Sequence, residues 1–149
     1  MYRSMQVSDL PELLRQERAY MEEIEPESLG PWTAALDRNL ALWIESLPTS
    51  GVIVDNSGAI AGIALWNLQP AVATLITIHV AAARRRTGIG GQLLEAFVEA
   101  AGYSGAKRAA LGVHEANHGA ARLYLAHGFH EVGADGNYRL FEKDLRLTA

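Results

Sequence analysis

The run ITIHVAAARRRTGIGGQLLEAF, from Ile76 to Phe97, most constrains what this chain can fold into. A β-branched apolar stretch leads into three arginines, then Thr87-Gly88-Ile89-Gly90-Gly91, then an amphipathic segment. Ile89, Leu93, Leu94, Phe97, Val98 and Ala101 recur there at helical spacing. Strand, tight loop and helix follow from that change of hydrophobic period. Glycines at a helix start let the backbone approach a ligand closely, because no Cβ intervenes. Free N–H groups and the positive end of the helix dipole favour a phosphate there. Neighbouring arginines add charge-assisted contacts to a polyphosphate. The ligand loop is not a P-loop, since no Lys-Ser/Thr follows the glycines. Nor is it a Rossmann fingerprint: Leu93 stands where the third glycine belongs, and no acidic residue ends a following strand about 20 residues on.

Around this unit the chain reads as one mixed α/β domain over residues 1–149, in the order β-α-α-β-β-β-α-β-α-β. A short strand from about Tyr2 to Val7 precedes Asp9 and Glu12, a capping-box-like helix start. Leu10, Leu13, Leu14, Met21 and Ile24 mark the buried stripe of that helix, and Pro26 ends it. Pro31 opens a second helix with Trp32, Leu36, Leu40, Trp43 and Leu47 inward, and Pro48 stops it. Two β-branched runs joined through Asp55-Asn56-Ser57-Gly58 predict a hairpin. Ala73 to Val80 predicts a strand buried on both faces. Gly102 and Gly105 break the central helix; a strand from Ala109 to His114, a helix from Ala120 to His127 and a closing strand from Tyr138 to Leu145 complete the chain.

Composition narrows the function classes. A length of 149 residues with 49% hydrophobic and 20% charged residues suits one globular core. A net charge of −4 argues against general nucleic-acid binding, which needs a basic face. Without cysteine, disulfides and thiolate zinc sites are excluded. The start, MYRSMQVSDLPELL, has no apolar signal-peptide core, and no apolar run approaches the roughly 20 residues of a membrane span. A soluble, cytoplasmic protein is expected, and a homodimer is compatible with the sequence.

Arg85-Arg86-Thr87-Gly88-Ile89-Gly90 resembles the acyl-CoA-binding motif (Arg/Gln)-x-x-G-x-(Gly/Ala) of the GNAT superfamily of N-acetyltransferases. The resemblance extends over most of the chain and includes Asn117, Tyr124 and Gly128-Phe129 at family-like spacing. It implies acetyl-CoA as donor, an amine as acceptor and direct transfer in a ternary complex, with no metal. By this resemblance, backbone groups near Val80 (Ile78, His79, Val80) pair with pantetheine like an added strand. Amides from Arg85 through Arg86, Thr87, Gly88, Ile89 and Gly90 to Gly91 hold the pyrophosphate. Asn117 bonds pantetheine or an ordered water, and a plain helix N-cap role is compatible with this. One departure is that Ala81-Ala82-Ala83 replaces the proline common before the arginine.

His114-Glu115-Ala116-Asn117-His118 also satisfies H-E-x-x-H, which would make a zinc hydrolase. That chemistry needs both imidazoles on one helix face. Gly112 and Gly119 flank the stretch, each costing about 1 kcal/mol in a helix relative to Ala, and Tyr124 stands where a third histidine would fall. The stretch reads better as a strand end followed by a helix start. Tyr124 then suits a proton donor to the departing thiolate, since a phenol of pKa about 10 stays protonated at neutral pH.

By the same resemblance, the positions matched to a glutamate base often carried by relatives are Thr74 and Gly112, and neither can accept a proton. His114 shares the strand face of Gly112 and is a candidate base. His79 and the glutamates of EEIEPE are others. The missing carboxylate keeps a non-catalytic acyl-CoA-binding module as a rival. Glu22 and Glu23 in that acidic run would attract a cationic acceptor, and Trp32 or Trp66 could line its pocket.

Overall fold

A computed structural model of the protein describes residues 1–145, so the last four residues of the expected domain lie outside it. Seven strands form one sheet in the order β1-β2-β3-β4-β5-β7-β6. β1 (Tyr2–Ser4), β2 (Gly51–Val54), β3 (Ile60–Leu68) and β4 (Val72–Val80) make an antiparallel half. β5 (Arg108–His114), β7 (Tyr138–Asp144) and β6 (His130–Asp135) make a second antiparallel half. The two halves meet through a parallel β4–β5 contact.

Helices cover both faces. α1 (Leu10–Ile24), α2 (Leu29–Ala34) and α3 (Leu36–Ser46) lie over one core, which holds Leu13, Trp32, Trp43, Val52, Ile63 and Leu65. α4 (Ile89–Tyr103) and α5 (His118–Ala126) cover the other core, with Ala64, Trp66, Leu93, Leu94, Phe97 and Phe141. Alternate residues of β3 feed opposite cores, as the two-residue period of a strand requires. No helix among the described residues is long and apolar enough to cross a membrane.

Several elements depart from the sequence reading. The first strand stops at Ser4, and a short 3-10 turn spans Val7–Asp9. Asp9 does not cap α1; its carboxylate takes two hydrogen bonds from Arg3, both 2.8 Å, and one from the Gln6 N–H at 2.8 Å. The cap therefore serves the turn before the helix, and Glu12 instead accepts from Arg15 and Gln16. The second helix breaks at Ala35 into α2 and α3. β6 was not expected, because every residue of HEVGAD is exposed on the sheet edge and no apolar alternation marks it.

The most consequential difference concerns β4, expected to be buried on both faces. Only Ala73 and Leu75 are buried, and the residues from Ile76 to Val80 are all partly exposed. Parallel pairing with β5 runs only from Val72↔Arg108 to Thr74↔Ala110. Beyond that pair, β5 stays with β7 as far as His114↔Tyr138, while β4 stays with β3 as far as Val80↔Gly62. On β3, Leu65 opposes Thr77 and Trp66 opposes Leu75, so Ile76 is an extra residue in β4. Such a bulge bends its strand and increases local twist. The strands diverge, and a wedge opens in the middle of the sheet.

Candidate functional site

The wedge opens into a groove of about 680 Å³. One wall is the C-terminal half of β4, with Ile78, His79 and Val80. The facing wall is the first turns of α5, with Asn117, Gly119, Ala120, Leu123 and Tyr124. α1 closes one side through Gln16, Tyr20, Glu23 and Ile24. The loop from Ala81 to Gly91 forms the mouth.

That loop is shaped by backbone conformations few residues adopt. Gly88, the N-cap of α4, has φ +85°, and Arg86 has φ +65°, a left-handed conformation unusual for a residue with a Cβ. Left-handed residues close together turn successive N–H groups toward one side, which makes an anion-binding concavity. No side chain caps α4, and its first ladder bond is Gln92 N–H to Gly88 O at 3.0 Å. The N–H groups of Ile89, Gly90 and Gly91 therefore have no intrahelical acceptor. Thr87 donates its hydroxyl to Arg84 O and so fixes the loop from within.

The three arginines differ in use. Arg84 pairs with Asp55 at 2.9 Å, tying the loop to the β2–β3 hairpin. Arg85 faces Glu23 across the groove at 3.6 Å, with both side chains more than half exposed. Arg86 has no ion pair among the described residues. The mouth thus combines uncapped amides with two guanidinium groups that are free or weakly held, which suits a polyphosphate.

Deeper in the groove, Asn117 caps α5: its Oδ1 accepts from the Ala120 N–H at 3.2 Å. The Tyr124 side chain is 4% exposed and packs edge-on to Phe129 and tilted against Phe141. Its hydroxyl has no hydrogen-bond partner among the described residues. Burial pushes this phenol well above the usual tyrosine range, so it stays protonated at any working pH.

His114 and His118 do not share a helix face. His114 ends β5 and is buried, whereas His118 is the exposed first residue of α5. His114 Nε2 lies 2.7 Å from the Glu27 carboxylate, and its Nδ1 accepts the Ala116 N–H at 3.1 Å. The ring is thus the Nε2–H form with its one lone pair in use, an arrangement that holds a turn and not one poised to take a proton. Tyr138 stands edge-on to the ring and donates to Glu25, a carboxylate only 2% exposed. Burial and then that hydrogen bond push Tyr138 up to about 12.

The expected acceptor residues separate. Glu22 pairs with Arg18 on the outer face of α1 at 3.1 Å. Glu23 faces the loop arginine and stands at the mouth of the groove. Trp32 is 8% exposed within the α1–α3 core, and Trp66 is 1% exposed in the other, so neither lines the groove. Their indole N–H groups have no partner among the described residues, consistent with residues placed for apolar packing.

The Acetyltransferase (GNAT) family model matches residues 17–129, most of the chain and all of this site except the first turns of α1. The chain belongs to the GNAT acetyltransferase family. Solved structures share its fold at low identity. One is the PaiA N-acetyltransferase of Thermoplasma acidophilum in complex with coenzyme A, at 18% identity over 97% of this chain and 98% of that one, TM-score 0.80. Another is Ard1 of Thermoplasma volcanium, at 19% over 97% and 96%, TM-score 0.77. A third is Naa20 of Chaetomium thermophilum in complex with a bisubstrate analogue, at 23% over 98% and 87%, TM-score 0.73. No curated protein gives a significant sequence match.

Within this GNAT chain, sequence reasoning brought α1 to the site only through the glutamates at its end and overlooked Glu17 and Tyr20. Glu17 and Tyr20 come to β4 and α5 from about 60 and 100 positions away. Glu17 is 9% exposed, accepts from the Thr77 hydroxyl at 2.8 Å and contacts His79 Nε2. Tyr20 stands edge-on to His79, at 5.7 Å between ring centroids. Burial first, and then Glu25, raise the Tyr20 phenol, while the nearby Asn117 side chain opposes the rise. Only the polar residues inside an otherwise apolar stripe of α1 hinted at this.

Proposed function

We propose that this protein is an acetyl-CoA-dependent N-acetyltransferase that acylates a primary amine of a small molecule or peptide by direct transfer in a ternary complex. One observation carries the reading: a wedge between diverging parallel strands ends at an uncapped, glycine-built helix start flanked by arginines. The donor fits these residues. Among the described residues the β4 edge from Ile76 to Val80 has no strand neighbour on the β5 side, so a pantetheine amide chain can pair there as an added strand. The amides of Gly88 to Gly91, with Arg85 and Arg86, suit its pyrophosphate. A Cβ built on Gly88 meets nothing within 4 Å among the described residues beyond its own chain neighbours, so the surface there is open to a ligand.

Acetyl-CoA supplies a thioester, whose carbonyl carbon an amine attacks with loss of the thiol. Tyr124, protonated and on the groove wall, donates a hydrogen bond to the developing thiolate. Asn117 holds the start of α5 beside it. We also place the protein in the cytoplasm, since a chain without cysteine needs no oxidising compartment for disulfides.

The rival binding module draws on Thr74 and Gly112, where no carboxylate stands. Affinity for CoA and thiol release, measured in wild type and Tyr124→Phe, separate the two readings. The enzyme reading expects near-equal CoA affinity and turnover lowered by about 10²-fold or more. Tight CoA binding with no thiol release from any amine in a broad panel would favour the module.

A further inference from the structure

We propose that the general base of the transfer is His79, with Glu17 as the residue that positions it; this rests on the acetyltransferase reading above. The imidazole lone pair that is free decides which ring nitrogen can take a proton. The charged and titratable groups in contact with the His79 ring are Glu17 and Tyr20, both from α1, and on β3 its register partner is the apolar Ile63. His79 Nε2 contacts the Glu17 carboxylate and lies 2.9 Å from Thr77 Oγ1. The Thr77 hydroxyl donates to Glu17 Oε2 at 2.8 Å, which leaves its oxygen able only to accept from the ring. Nε2 therefore carries the proton, and Nδ1 holds the lone pair. Among the described residues nothing donates to that Nδ1, in contrast to His114, whose Nδ1 accepts a backbone N–H.

Placement supports the same assignment. His79 and Tyr124 line one continuous groove, so base and acid serve one reacting centre. The His79 side chain is 9% exposed and that of Glu17 is 12%, which keeps their mutual contact out of bulk water. A carboxylate on one ring nitrogen fixes the tautomer and stabilises the imidazolium that forms when the other nitrogen takes a proton. Atoms balance in the step. The ammonium proton of the acceptor passes to His79 Nδ1, the neutral amine nitrogen then bonds the carbonyl carbon as the C–S bond breaks, and the departing sulfur takes a proton from the Tyr124 O–H, which regains one from the nitrogen. The imidazolium then returns its proton to solvent.

The test compares wild type with His79→Gln, Glu17→Gln and Thr77→Val, taking melting temperature, CoA affinity and the pH profile of kcat/KM for an accepted amine. For His79→Gln the proposal expects CoA affinity within about twofold of wild type. It expects a rate loss of about 10²-fold near neutral pH. The loss shrinks as pH approaches the pKa of the amine, where the nucleophile is already neutral. Glu17→Gln should move the acidic limb of the profile to lower pH and reduce the plateau, because the imidazolium loses its counter-charge. Thr77→Val should retain the limb with a smaller loss. An unchanged pH profile in a folded His79→Gln protein overturns the assignment. A parallel loss of CoA affinity also overturns it, by making His79 a donor-site residue. Wild-type protein that binds no acetyl-CoA sinks the acetyltransferase reading itself, a result distinct from either.

Discussion

Substituting Gly88 with Ala separates what the glycine does for the fold from what it does for the ligand. At φ +85° an L-residue pays about 1–2 kcal/mol for the left-handed conformation. Beyond its own chain neighbours, nothing among the described residues lies within 4 Å of the new Cβ, so no clash is added. For a domain of this size each kcal/mol moves Tm by about 2–4 °C, so Gly88→Ala should melt about 2–8 °C lower. Gly58, in the β2–β3 hairpin, supplies an internal control. Its φ is +84°, and a Cβ there also meets nothing within 4 Å, yet it is absent from the groove wall. Gly58→Ala should therefore lose similar stability and bind CoA like wild type. At Gly88 the methyl group enters the space proposed for the pyrophosphate. Displacing even one charge-assisted amide contact costs about 1.5–3 kcal/mol, or about ten- to a hundredfold in affinity. Calorimetric titration with CoA and a melting scan on both variants decide the matter. Equal CoA affinity in Gly88→Ala and wild type would refute the reasoning, as would an equal loss in Gly58→Ala.

Further outcomes follow from the same geometry. Glu23→Gln frees Arg85 from a 3.6 Å pair and removes a negative charge from the donor mouth, so CoA should bind severalfold more tightly at low salt, with the gain fading at high salt. The pair is more than half exposed, so a larger change would be surprising. Burial raises Tyr124 in the folded state, so its contribution to stability is complete below about pH 10, the unfolded value, and is lost as pH rises toward the folded one. Alkaline melting curves should accordingly fall less steeply in Tyr124→Phe than in wild type. Arg3 chiefly holds Asp9 below the usual carboxylate range, so its stabilisation is present above about pH 4 and fades as pH falls through the depressed value. In Asp9→Asn that part of the acid dependence should disappear, with Tm lowered by several degrees at neutral pH.

Local chemistry made the donor half of the site legible. RRRTGIGG carries its meaning in glycine freedom, helix-start amides and adjacent charge, all set within eight residues. Asn117 and Tyr124 lie on the cap and second turn of the helix that follows β5, so local pattern alone places them beside the strand end. The α1 side of the groove was not readable, since it is assembled by α1 crossing β4. The Glu17–His79 contact spans 62 positions, and Tyr138–Glu25 spans 113. Single-chain patterning carries no record of such meetings. Trp32 illustrates the opposite error: an aromatic near an acidic run suggested a pocket, but its apolar area is better satisfied in the α1–α3 core. β6 escaped because an exposed edge strand has no buried face to impose alternation. The partial exposure of β4 escaped for a different reason, because divergence from β5 is a property of two strands and a bulge, not of either sequence alone.

Acetyl transfer to an amine can be read from the mass spectrum of the reaction products. Purified protein is incubated with acetyl-CoA and a panel of primary amines and amine-bearing peptides, and each mixture is analysed for acetylated amine and free CoA. The account predicts at least one amine acetylated in equal molar amount to the CoA released, with the yield falling about 10²-fold or more in Tyr124→Phe. CoA bound by the groove while every amine stays unmodified would contradict it.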